Sequence, residues 1–122
     1  MEINIEHASR EITEQSLIDK GKTFLTAMEL RERILGRKII GLYRYPFKYV
    51  GYISPDGTMN GTNNYGTSDV GVWKISDADH TLEFKWQGGW DNWTCRAYLV
   101  DNEILLFNTD SGTWRTSFNT VI

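Results

Sequence analysis

From Lys38 to the C-terminus, apolar and polar residues alternate in short runs broken by turn residues. That is the two-residue period of strands with one buried face. The runs predict strands over Lys38–Tyr45, Phe47–Ile53, Thr58–Asn63, Asp69–Ser76, Thr81–Trp86, Trp93–Val100, Glu103–Asn108 and Thr113–Val121. Pro46 marks a bend, Ser54-Pro55-Asp56-Gly57 a tight turn, Asp101-Asn102 a hairpin and Asp110-Ser111-Gly112 a further turn. Asn63–Ser68, Asp77-Ala78-Asp79-His80 and Gln87–Asn92 supply the other connections. Eight short strands with hairpin-length links predict a mainly β, antiparallel, up-and-down barrel. With that strand number the interior is filled by side chains or holds one small ligand. Trp73, Trp86, Trp90 and Trp93, four of the five tryptophans, fall between residues 69 and 99 and place an aromatic cluster at the centre.

Ahead of the strands the period changes. Met1–His7 alternates and would make a short strand or a frayed arm, and Ser9–Lys22 has a weak helical pattern ended by Gly21-Lys22. Thr26-Ala27-Met28-Glu29 is a capping box flanked by Leu25 and Leu30 as a hydrophobic staple. It predicts a helix from Ala27 to Leu35, with Met28, Arg31, Ile34 and Leu35 on its apolar face and Gly36 in the left-handed position that ends it. Residues 1–25 therefore read as an N-terminal arm with a weak helix. Residues 26–122 read as a short helix plus the barrel, one domain with the helix against one barrel end.

Composition narrows the partners. A formal charge of −3 at neutral pH speaks against nucleic acid as a partner. No apolar run long enough for a membrane span occurs, so no membrane contact is expected. Cys95 is the single cysteine and the N-terminus lacks the pattern of a secretory leader; both suit the cytoplasm, or an exported chain if a leader has been removed.

Four segments carry a resemblance: Thr26–Leu30 leading to Leu35–Gly41, Tyr52–Gly61, Gly71–Ile75, and Phe84-Lys85-Trp86 followed by Cys95. Over about residues 25–120 the chain resembles the calycin-type barrels of lipocalins, fatty-acid-binding proteins and avidins, and within them a group of small, uncharacterised bacterial proteins. The resemblance implies a barrel preceded by helical segments and a ligand cavity. Members of that group are usually exported and often carry a second cysteine near the position of Glu83; this chain has neither feature. No biotin site can be aligned.

Candidate chemistry is sparse. Asp77-Ala78-Asp79-His80 reads as a solvated turn sooner than a metal site, since no further His or Cys lies near it, and no metal or other cofactor is expected. Cys95 shares a strand face with Trp93, Ala97 and Leu99, as a core thiol would. Glu83, Lys85, Arg96 and Tyr98 alternate with the apolar set; they are either the outer surface or, with the barrel inverted, a cavity suited to a carboxylate. Trp90, in a loop with two glycines, would serve as a lid or a rim contact. The ligand-binding candidates are Tyr43, Tyr45, Trp73, Glu83, Trp86, Trp90, Arg96, Tyr98 and Trp114; no catalytic residue stands out. The expected function is binding of a small, partly apolar molecule in an aromatic-lined barrel. The alternatives are a cofactor-free cyclase, isomerase or dehydratase, and a protein-interaction module, with a homodimer among the partners to be considered.

Overall fold

The computed structural model describes residues 12–44 and 47–122. The Met1–His7 segment, Ser9 to Glu11 of the weak helix, Tyr45 and Pro46 lie outside the described residues. Two helices, α1 (Glu14–Asp19) and α2 (Ala27–Ile34), precede eight strands. These are β1 (Arg37–Arg44), β2 (Phe47–Ile53), β3 (Thr58–Asn63), β4 (Ser68–Ser76), β5 (Thr81–Trp86), β6 (Trp93–Val100), β7 (Glu103–Asn108) and β8 (Trp114–Val121). Each strand pairs antiparallel with its neighbour in sequence, and β8 closes on β1. The eight-stranded antiparallel barrel is as the alternation predicts. Thr113, at the edge of the last run, leaves the sheet to bridge Thr13.

Alternation sets the inner face. Ile39, Ile53, Met59, Leu82, Phe84 and Phe118 point inward and are almost wholly buried. Gly71 sits among them because the barrel wall leaves no room for more: a β-carbon there would lie 2.2 Å from the Lys85 carbonyl oxygen. Cys95 is fully buried among them, and burial pushes its thiol pKa up, which suits a packing role and not a nucleophile.

One barrel end is closed by α2. Its start is the predicted capping box: the Thr26 hydroxyl accepts from the Glu29 amide at 3.2 Å and the Glu29 carboxylate from the Thr26 amide at 3.0 Å. The buried face is Ala27, Leu30 and Ile34; Met28 is exposed and Arg31 pairs with Asp77. The expected face through Met28 and Arg31 is thus rotated, since Leu25 and Leu30, the staple pair, both enter the core and set the helix's rotation. The Asp77–His80 turn is part of the same closure. Asp77 takes a two-pronged ion pair from Arg31 at 2.6 and 3.0 Å, and Nδ1 of His80 accepts from the Ala27 amide at 2.9 Å. The turn therefore satisfies a helix-start donor that would otherwise need water.

The outer face of β6–β8 is covered. β5 and β6 pair only from Leu82 and Cys95 to Phe84 and Trp93, and beyond that Leu25 uses its amide to reach the Ala97 carbonyl at 2.7 Å. Further out, α1 lays Leu17 on Tyr98, Leu105 and Phe107 to form a second small core, flanked by Trp114. Glu14 of α1 is also buried there. Its carboxylate accepts from Arg96 at 2.6 and 2.8 Å and from the Tyr98 hydroxyl at 2.8 Å. The Arg96 hydrogen bonds hold the Glu14 carboxyl below the usual carboxylate range, although burial works the other way. Burial, then the hydrogen bond to Glu14, pushes the Tyr98 phenol up to about 12.

Candidate functional site

Among the described residues the end opposite α2 is left open, and a cavity of about 260 Å³ enters the barrel there. It is bordered there by Tyr43 at the end of β1, Phe47 at the start of β2, Asn63 at the end of β3 and Gly89–Asp91 of the β5–β6 connection. Phe47, Phe84, Trp86, Trp90 and Trp93 supply its apolar walls, and Tyr43, Lys48, Tyr49, Asn63, Asp91 and Thr116 its polar groups. The rings touch one another: Phe84 lies 4.3 Å from Trp93 between centroids, and Trp86 lies 4.8 Å from Trp90. Such offset and tilted contacts stabilise a rigid aromatic wall.

Glycines make the space. At Gly61 of β3 a β-carbon would come within 2.9 Å of the Trp90 ring, so the missing side chain is the seat on which Trp90 lies. Trp90 itself is aimed by a residue that gives no signal in the sequence. Asp69, at the start of β4, is buried and its carboxylate accepts from the Gly88 amide at 2.7 Å and the Trp90 amide at 3.1 Å. A β-carbon on Gly88 would lie 2.7 Å from that carboxylate, and Gly89 adopts φ +111°, a conformation closed to other residues. The two glycines that suggest a mobile loop are therefore used to wrap the chain around Asp69. Asn92 fastens the other side of the loop, accepting from the Trp86 amide at 2.7 Å.

At the mouth, the Tyr43 hydroxyl donates to the Asp91 carboxylate in a very short contact. Arg115 of β8 donates to the Tyr43 oxygen at 3.0 Å, lies 3.6 Å from Asp91 and stacks over the Tyr43 ring. Deeper in, the Tyr49 ring lies over Gly41, where a β-carbon would come within 2.6 Å of it. Its hydroxyl is 2.7 Å from the Thr116 hydroxyl, which in turn donates to the Leu42 carbonyl at 2.8 Å. Burial raises the Tyr49 pKa far above the ordinary phenol value, the Thr116 hydrogen bond opposing it only in part, so this phenol stays neutral.

The cavity brings together three of the residues picked out from the sequence: Tyr43, Trp86 and Trp90. Tyr45 lies outside the described residues. Trp73 faces inward but toward the closed end, where its indole N–H donates to the Ser54 carbonyl at 2.7 Å. Glu83, Arg96, Tyr98 and Trp114 do not line the cavity. Glu83 stands opposite Thr94, not Arg96, so no cross-strand charge pair forms between them. Its half-exposed carboxylate lies 3.9 Å from Lys85 instead. Arg96 and Tyr98 are on the outer face, as the alternation allows, yet covered by α1 and committed to Glu14. Trp114 belongs to the same outer core and donates to the Ser117 hydroxyl at 2.8 Å. The structure adds Thr116 and Asp69, which nothing in the sequence marks, and Tyr49, which the sequence offers only as one of several strand tyrosines with a hydroxyl suited to orienting a polar ligand.

No family model, no curated protein and no solved structure matches this chain. The closed barrel of eight antiparallel strands is compatible with a calycin-like fold. Among the described residues, no three His, Cys, Asp or Glu side chains converge to hold a metal ion, and no helix is long and apolar enough to cross a membrane.

Proposed function

We propose that the barrel is a binding module for a small, partly apolar molecule held in the aromatic cavity at its open end. One observation carries the reading: about 260 Å³ of space lined by seven aromatic residues, two of them tyrosines, with a few further polar groups at fixed places. The volume lies just under the roughly 300–1,000 Å³ of drug-sized sites, which suits a compact ligand. Proton transfer through Tyr49 finds less support. A general acid or base works best with a pKa near the working pH, whereas the Tyr49 phenol is displaced away from neutrality. The Asp69-anchored loop supports a preformed cavity, which lowers the ordering cost of binding.

Native mass spectrometry of protein purified from its own host, followed by tryptophan-fluorescence titration with any mass recovered, tests the reading. The expected result is a bound small molecule that quenches or shifts the emission. A clean apo mass, with emission unmoved by broad pools of small molecules, would count against it.

A further inference from the structure

Proton counting at the inner end of the cavity says what its ligand must bring. Tyr49, Phe84 and Trp86 border both the main cavity and a second void of about 20 Å³ beyond it, so they form the floor of the first. Tyr49 carries the hydroxyl on that floor. Thr116 has one hydroxyl hydrogen, and the Leu42 carbonyl takes it at 2.8 Å. The 2.7 Å contact between the two hydroxyls is then made by the Tyr49 hydrogen, donated to the Thr116 oxygen. Among the described residues the other acceptor near the phenol is the Ser117 carbonyl at 3.4 Å, which also belongs to the wall. In either arrangement the Tyr49 hydrogen is spent on protein. What its oxygen has left is lone pairs.

We infer that the cavity selects small planar molecules that present an N–H or O–H donor at their inner end to the Tyr49 phenol oxygen. The inference rests on the small-molecule reading and adds the polarity of the ligand to it. Flat rings match the walls, since Phe84, Trp86 and Trp90 offer faces for offset or edge contacts. A ligand with an acceptor at that end would set two sets of lone pairs against each other in a desolvated place.

Isosteric probe pairs test this by titration calorimetry: indole against benzofuran, and phenol against fluorobenzene. Each pair keeps shape and exchanges the donor for a weak acceptor. The intact protein should bind indole and phenol about tenfold or more tighter than their partners, the effect of leaving one buried polar group unpaired. In Tyr49→Phe, which keeps the ring over Gly41, the preference should fall to near equality because benzofuran gains what indole loses. If Tyr49→Phe does not fold, the comparison within the intact protein still decides. Equal or reversed affinity within both pairs, with binding measurable, would overturn the donor assignment and leave the cavity reading standing. Failure of all four probes to bind at millimolar concentration would overturn both.

Discussion

Glu14→Ala lowers the stability of the protein by about 3 kcal/mol at neutral pH, a shift of roughly 10–15 °C in the midpoint of thermal unfolding. Glu14, at the start of α1, is buried and accepts from both the Arg96 guanidinium and the Tyr98 hydroxyl. Removing it leaves a charge and a phenol without their partner, which is why the cost exceeds that of a surface ion pair. The value sits at the low end for a buried pair because Arg96 keeps 29% of its side-chain exposure and can partly recover water. Acid should show the same interaction from the other side. The folded-state pKa of Glu14 is depressed, so its contribution is complete above the unfolded value of about 4.3 and is lost as pH falls through the lower folded value. The difference in stability between the wild type and Glu14→Gln should therefore narrow steadily below about pH 4. Denaturant melts across pH measure it; a constant difference down to pH 2 would contradict the assigned ion pair.

Asp69→Ala acts on the site instead of the scaffold. The Asp69 carboxylate gathers the amides of Val70, Gly88 and Trp90. Charge-assisted hydrogen bonds of this kind contribute about 1.5–3 kcal/mol each when buried. The loop can open to water once they are lost, so the expected net cost is about 2–3 kcal/mol and falls locally on residues 87–92. Hydrogen exchange at Gly88 and Trp90 should accelerate while the α2 amides keep their protection. Trp90 loses its anchoring and the cavity its preformed wall, so affinity for a bound probe should fall about tenfold. Unchanged exchange at both amides would show that Asp69 does not hold the loop.

How much of this could be read from the chain differs by element. The barrel was legible because its alternation is strict wherever one face meets water, as in β3 and β4, and because the turns carry Pro-Asp-Gly and Asp-Asn signals. The capping box and staple located α2, although the staple residues, not Met28, mark its buried side. The second core was written in β7, where Ile104, Leu105, Leu106 and Phe107 run without a polar break. A strand apolar on both faces needs a cover on the outside, and that should have sent Arg96 and Tyr98 under a helix. The partner carboxylate on Glu14 could not be found that way, since its pairing spans more than eighty residues of sequence. Asp69 was invisible for a different reason. An aspartate beside a polar loop looks solvated, and only the closed barrel turns it into a buried anchor.

A ligand-accepting cavity at one end of the barrel is tested most directly by the five indole N–H signals in a two-dimensional ¹⁵N spectrum. Trp86, Trp90 and Trp93 line the cavity. Trp73 is tied to the Ser54 carbonyl at the closed end and Trp114 to Ser117 on the outside, so both serve as internal controls. Titration with small aromatic donors should move the first three signals saturably and leave the other two in place. Three unmoved cavity signals, or shifts confined to Trp73 and Trp114, would contradict the account.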